Sequence, residues 1–123
     1  MSVAIDLLHV VDQVLATPDC WIKGVMRRDK NGKRPMLDKD AVAWCLGGAL
    51  CRAMDRIPRT EADIDIANQY LHNAVSEVSG GKYKHFVNYN DDPTTTFDDI
   101  KRVIQIAISY EIQSPDGGTG RRA

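Results

Sequence analysis

The chain has 123 residues, of which 43% are hydrophobic and 27% are charged, and these proportions predict a globular domain rather than a disordered segment. Its formal net charge of −1 excludes a global electrostatic field that would steer the whole molecule to nucleic acid or an anionic membrane. Three cysteines at no familiar spacing, with no signal-peptide pattern, argue against a disulfide framework, and no apolar run is long enough to span a bilayer. We therefore expect a cytoplasmic protein with no membrane partner.

The first predicted helix covers residues 3–16, where apolar side chains recur at intervals of three and four. Thr17 and Pro18 end this helix, because proline disfavours the helical conformation of the residue that precedes it. The apolar positions of its buried face are Ala4, Leu7, Leu8, Val11, Val14 and Leu15.

A strongly basic segment, residues 23–34, follows this helix. It contains six cations and a single acid, Asp29, so its net charge is +5 and the rest of the chain carries −6. The Asn31-Gly32 pair is typical of a tight turn, because both residue types tolerate positive φ angles. We predict a short hairpin or ordered loop here, with Pro35 confining the second arm to an edge because proline cannot donate a ladder hydrogen bond.

The most apolar stretch, residues 41–51, predicts a buried central helix. It contains no charged side chain, whereas a helix on the protein surface has a polar face. Gly47 and Gly48 each cost about 1 kcal/mol relative to alanine inside a helix. We therefore expect close approach of another backbone, and specifically that another helix or Trp21 packs directly on Gly48.

Two further helices follow in the second half of the chain. Thr60 and Asp63 resemble a capping box, and the helix that they begin is stopped by a glycine pair that starts at Gly80. Residues 82–93 have no clear periodicity and are predicted to be irregular. Thr96 then caps a last helix with apolar residues at helical spacing.

The sequence as a whole predicts an all-α, or nearly all-α, fold. About four helices would pack round a central apolar helix, with the basic hairpin or loop after the first helix. We expect a single domain over residues 1–113 and a disordered tail over residues 114–123, where apolar periodicity is absent.

Four short motifs occur in order along the chain: W-x-x-G at residues 21–24, D-x-x-G at 29–32, W-C-x-x-G-A at 44–49 and N-D at 90–91. In this combination, the sequence resembles a family of short bacterial and phage proteins that is known only as a domain of unknown function. The resemblance extends over residues 21–108. It implies a common fold and a cytosolic setting, and it implies no activity.

The same motifs contain the residues of a candidate ligand pocket, namely Trp21, Trp44, Cys45, Asn90 and Asp91. Cys45 could be a nucleophile if a base lowered its pKa, but a small buried residue beside a core tryptophan is the favoured interpretation. Asn90 and Asp91 could position polar groups for a ligand, although such residues more often form turns and helix starts. No catalytic residue, cofactor motif or metal-ligand spacing is recognisable in the sequence.

The basic segment provides the second candidate surface. Its cations would contact an acidic protein partner or the phosphates of a nucleic acid, whereas the alternative is a solvated loop without a partner. We therefore favour a non-enzymatic binding or accessory protein of phage or mobile-element type, and keep a small enzyme or ligand-binding protein as the alternative. The predicted partner-binding residues are Lys23, Arg27, Arg28, Lys30, Lys33 and Arg34.

Overall fold

The fold was obtained as a computed structural model, which describes residues 2–35 and 38–113. Over these residues the chain forms mainly helices, as predicted, with one small antiparallel sheet. The predicted tail, residues 114–123, lies outside the described residues. The helices are α1 (Val3–Val14), α2 (Leu46–Arg56), α3 (Glu61–Val78), α4 (Phe86–Asp91) and α5 (Phe97–Gln113), and the strands are β1 (Arg27–Asp29) and β2 (Ala41–Trp44).

Helix α1 lies at the centre of the core and packs against α2, α3 and α5. Its apolar face is fully enclosed, as the spacing of its apolar residues predicts. The C-terminal end of α1 is held by Lys101 of α5, whose ammonium donates to the carbonyl oxygens of Asp12 and Leu15 at 2.9 and 3.0 Å and pairs with the Asp12 carboxylate at 2.6 Å. A cation at this position satisfies carbonyls that have no partner within the helix.

Helices α3 and α5 begin at reciprocal capping boxes. Thr60 and Asp63 exchange side-chain and backbone hydrogen bonds at the start of α3, and Thr96 and Asp99 do so at the start of α5. The end of α3 is followed by Gly80 with a φ of 65°, so the predicted stop is confirmed. None of the helices within the described residues has both the length and the apolar character needed to cross a membrane.

The prediction of one helix over residues 41–51 is wrong in its first third. Residues 41–44 form strand β2, and α2 begins only at Leu46. A short apolar run fits a buried strand as well as a buried helix, and here the pairing with β1 decides for the strand. The enclosed side of α2 packs on α1 and α4, whereas Cys51 is exposed. The central apolar helix of the fold is therefore α1.

The basic turn is present, but its strand partner differs from the predicted one. Strand β1 pairs with β2, in the register Arg27 to Trp44 and Arg28 to Ala43, whereas the prediction placed the second arm at Pro35. A further correction concerns residues 82–93, which were predicted to be irregular and contain the six residues of α4. One side of this helix is buried and faces α2 and α3. The buried residues are Phe86, Tyr89 and Asn90.

Candidate functional site

The side chain of Asn90 is the centre of a hydrogen-bond network where α4 meets the start of α2. Only 1% of this residue is exposed. Its Oδ1 accepts from the indole N–H of Trp21 at 2.7 Å and from the backbone N–H of Leu46 at 3.0 Å. Its Nδ2 donates to the carbonyl of Ile22 and to the carboxylate of Asp91, both at 3.1 Å. An amide side chain has two N–H donors and two acceptor positions, so the capacity of Asn90 is filled.

A second group of hydrogen bonds ties the W-x-x-G loop to the end of α4. The carboxylate of Asp91 accepts from the backbone N–H of Gly24 at 2.9 Å. The ammonium of Lys23 donates to the carbonyl of Asp92 at 2.7 Å and lies 5.3 Å from the ring centroid of Trp21. The loop therefore has a fixed position relative to the helix core. We call the following set the Asn90 cluster: Trp21, Gly24, Asn90 and Asp91.

Cys45 acts as the cap of α2 rather than as an exposed thiol. It is buried, and its Sγ accepts from the backbone N–H of Gly48 at 3.3 Å. Burial raises the pKa of the Cys45 thiol, which disfavours the thiolate that a nucleophile needs. Its neighbour Trp44 is half-buried, and the carbonyl of Trp44 accepts from the backbone N–H of Ile22 at 3.1 Å. This arrangement agrees with the structural interpretation of Cys45.

The residues of the predicted ligand pocket do come together. Trp21, Asn90 and Asp91 are hydrogen-bonded to one another or to neighbouring backbone, and Trp44 and Cys45 lie beside them. Their polar groups face each other and the backbone, which leaves Asn90 no unused donor or acceptor for a ligand. Within the part of the chain that the structure describes, no group of three or more His, Cys, Asp or Glu side chains is arranged to hold a metal ion.

The backbone of Met26 connects the basic segment to the start of α2. Its carbonyl oxygen accepts from the backbone N–H of Cys45 at 3.0 Å. The same carbonyl lies directly against Gly48, where a Cβ atom would overlap the oxygen and come within 3.0 Å of the carbonyl carbon. The expected close approach of a backbone at Gly48 is therefore confirmed, although the backbone belongs to the basic segment and not to a helix or to Trp21.

We define the basic hairpin as residues 23–34. Its turn is closed by Asp29, the single acid in this segment. The carboxylate of Asp29 accepts from the backbone N–H groups of Asn31 and Lys33 at 2.9 and 3.0 Å. The hydrogen bond from Lys33 is the main reason why the pKa of Asp29 lies below its usual value. Gly32 adopts a φ of 80°, as the Asn-Gly pair predicts. Asp29 is the single acid among six basic side chains, so residues 23–34 keep a net positive charge.

The six predicted partner-binding cations are not equivalent. Lys23 is half-buried and is engaged with the Asn90 cluster through its contacts with Asp92 and Trp21. Arg27 and Arg28 are half-buried on β1. The remaining three side chains are exposed to solvent at the turn and on the arm that follows it: Lys30, Lys33 and Arg34.

Exposed apolar side chains accompany these cations, and the sequence reasoning missed them. Val25 is 55% exposed, Met26 49% and Val42 45%. The signal was present in the sequence as two apolar residues, Val25 and Met26, between a glycine and two arginines. A groove of about 440 Å³, the hairpin groove, opens on this surface. It is lined by Val25, Met26, Arg27, Arg28, Gly32, Lys33 and Arg34.

A smaller cleft of about 230 Å³ lies on the other side of Arg27, against α2. Its lining includes Trp44, Arg52 and also the acidic Asp55. The cleft therefore has mixed charge, whereas the charged residues that line the hairpin groove are all basic.

A histidine pair was also missed, because its members are far apart in the sequence. The rings of His72 on α3 and His85 before α4 have centroids 4.6 Å apart, and His72 stacks on Phe86 at 4.8 Å. Nδ1 of His85 accepts from the backbone N–H of Val87 at 3.3 Å and so caps α4. The Nε2 atom of His72 is buried and has no hydrogen-bond partner.

The fold and this site define a small, mainly helical protein that holds a basic hairpin rigidly against its core. The chain belongs to a family of unknown function, DUF6197, whose model matches residues 1–110. The predicted membership of a family of unknown function is thereby confirmed. Comparison with curated proteins gives no match, and comparison with solved structures gives none.

Proposed function

We propose that this protein is a non-enzymatic binding protein that contacts an acidic protein partner through its basic hairpin. The observation that carries the proposal is the fixed presentation of cations and apolar side chains on one surface. Five basic residues from Arg27 to Arg34 surround or adjoin the hairpin groove, and the only acid among them is engaged with the turn. A surface of one charge sign favours association with a partner of the opposite sign.

The rigidity of the hairpin supports this proposal. Hydrogen bonds attach the segment to the rest of the fold at Gly24 and Met26, and the carboxylate of Asp29 closes its turn. Strand β1 pairs with β2, with a register shift between Arg28 and Asp29. A preorganised surface loses little conformational entropy when a partner binds. A solvated loop without function would need no such attachment to the core.

A protein partner is favoured over a nucleic acid by the composition of the surface. Methionine and arginine are enriched in protein–protein interfaces, and Val25 and Met26 present apolar area beside the charges. Single-stranded nucleic acids are usually bound on aromatic side chains, and the hairpin contains none. A cytoplasmic location and a phage or mobile-element origin stay predictions.

The alternative, an enzyme or ligand-binding protein with its pocket at the Asn90 cluster, has less support. A ligand there would have to displace hydrogen bonds that hold the fold together, since Asn90 has none to spare. The raised pKa of the Cys45 thiol also opposes a nucleophilic role.

The test is affinity purification from the native host with the tagged protein and a charge-neutralised variant. The variant replaces four hairpin cations by glutamine, and a control replaces two arginines and two lysines that are exposed elsewhere. We expect the hairpin variant to lose the captured protein and the control to retain it, with thermal midpoints close to that of the parent. The hairpin positions are Arg28, Lys30, Lys33 and Arg34, and the control positions are Arg56, Arg59, Lys82 and Lys84.

Retention of the captured protein by the hairpin variant at the affinity of the parent would refute the proposal. Equal loss in both variants would assign the interaction to overall charge rather than to the hairpin, and would also refute it. A captured component that nuclease treatment removes would replace the protein partner with a nucleic acid.

A further inference from the structure

The hairpin groove combines an apolar lining with basic residues on both arms of the hairpin. Val25 and Met26 provide the apolar contacts, and each is about half exposed. Arg28 precedes the turn, whereas Lys33 and Arg34 follow it, so cations line the groove on both sides of the turn. Its volume of about 440 Å³ lies within the range of roughly 300–1,000 Å³ that is typical of clefts that enclose small ligands or side chains.

Charge alone does not require such a groove. A purely electrostatic contact, such as one with a polyphosphate chain, needs cations but gains nothing from exposed valine and methionine. Apolar surface that a partner covers contributes to binding in proportion to its area. An occupant that matches both features has carboxylates around a bulky apolar side chain.

We propose that the hairpin groove binds an acidic peptide segment in which one bulky apolar side chain is flanked on both sides by aspartate or glutamate. The apolar side chain contacts Val25 and Met26, and the flanking carboxylates pair with Arg28 on one arm and with Lys33 and Arg34 on the other. This inference rests on the proposed function, since it specifies the chemistry of the partner at the same surface.

The experiment uses the full chain and fluorescein-labelled heptapeptides in an anisotropy titration. One peptide carries three acidic residues on each side of a central phenylalanine, and the other has serine at the centre. We expect the phenylalanine peptide to bind about tenfold more tightly, because it buries an aromatic side chain in addition to making the same ion pairs. Both affinities should fall as salt is added.

Two matched variants test whether the groove provides this preference. Met26→Ser removes an apolar side chain from the groove but keeps the backbone carbonyl that accepts from Cys45. Val42→Ser removes a similarly exposed apolar side chain that is not among the groove residues. We expect Met26→Ser to abolish the preference for phenylalanine and Val42→Ser to retain it, with thermal melts confirming that both variants fold.

Equal affinity for the two peptides, or no measurable binding of either, would overturn the inference. So would displacement of the phenylalanine peptide by a single-stranded oligonucleotide of the same charge at lower concentration than by the unlabelled peptide. In each of these cases the proposed function is judged separately, by whether the hairpin variant loses the partner captured from the host.

Discussion

The Asn90 cluster and the basic hairpin are neighbours in the fold, and both are rich in polar groups. In the Asn90 cluster the polar groups pair with each other, and Asn90 itself is 1% exposed. In the hairpin, the cations on the turn project into solvent beside Val25 and Met26. The first region therefore fixes the position of the second. Asn90 has no donor or acceptor left for a partner, whereas Lys30, Lys33 and Arg34 are exposed on the hairpin.

The difference shows that a conspicuous sequence motif need not mark a binding surface. Three of the motifs join separate parts of the chain. The W-x-x-G motif supplies the indole of Trp21, the W-C-x-x-G-A motif supplies Gly48, which contacts Met26, and the N-D motif supplies the amide of Asn90. Buried polar groups must be hydrogen-bonded, and this requirement accounts for a residue as specific as Asn90, whose amide bonds to Trp21 and Asp91.

The largest effect is expected at Gly48. Gly48→Leu should lower the free energy of unfolding by about 3 kcal/mol or more, because even its Cβ would overlap the backbone of Met26. Equilibrium unfolding in urea measures this change. At an open helix position the same substitution would stabilise the helix by about 1 kcal/mol, so the sign of the effect is informative.

Gly47 provides the matched control in the same turn of α2. A Cβ at Gly47 would approach Cε1 of Phe86 at 3.3 Å, which is a side chain rather than backbone. We expect Gly47→Ala to change the free energy of unfolding by less than about 1 kcal/mol. We expect Gly48→Ala to be strongly destabilising already. A Gly48→Leu variant that resists urea better than the parent would disprove the contact between the hairpin and α2.

The contact at Gly48 also shows which structural features could be predicted from the sequence. Local sequence signals correctly located several elements. These signals are the apolar periodicity of α1, the capping residues Thr60 and Thr96, and the turn at Gly32. Whether residues 41–44 form helix or strand depends on their pairing with β1, which no local pattern determines. The glycine pair did indicate a close backbone approach, but it could not identify Met26.

The candidate site was predictable to a similar degree. All members of the Asn90 cluster came from recognisable motifs, but their hydrogen bonds to one another link residues almost 70 positions apart. Charge counting found the basic hairpin, because a charge run is a local property. The groove, and the different position of Lys23, depend on tertiary contacts and were not visible in the sequence.

A smaller but still large effect is expected from Asn90→Ala. The substitution leaves the indole N–H of Trp21, the backbone N–H of Leu46 and the carbonyl of Ile22 without their partner. A buried group that loses its hydrogen bond costs about 1–3 kcal/mol, and this cost applies in full to Leu46, which is buried. Because Trp21 and Ile22 are only half-buried and water can reach them, we expect a total loss of about 2–3 kcal/mol. Urea unfolding followed by tryptophan fluorescence measures it.

Asn88 lies on the same short helix and is exposed, so Asn88→Ala is the appropriate control. It should change the free energy of unfolding by no more than about 0.5 kcal/mol. If both variants were equally stable, the Asn90 cluster would not hold the hairpin in place. The ligand-pocket alternative would then regain support, because Asn90 would be free to serve a ligand.

The smallest of the three effects is a dependence of stability on pH that originates at His72. Burial, and to a lesser extent the charge on His85, lowers the pKa of His72 below its usual value of 6.5. The unfolded chain therefore takes up a proton at His72 at a higher pH than the folded chain does. The stabilisation is complete above about pH 6.5 and is lost as the pH falls towards the folded pKa.

The variant His72→Phe keeps an aromatic ring against Phe86 and removes the titrating group, so its stability should fall less between pH 7 and pH 5 than that of the parent. His9→Gln, which removes an exposed histidine on α1, is the matched control. Since His72 stacks on Phe86 of the helix that carries Asn90, protonation of His72 should loosen the Asn90 cluster, and the fluorescence of Trp21 in a Trp44→Phe background reports this directly. If the parent and His72→Phe lost equal stability on acidification, the histidine pair would have no part in holding α4.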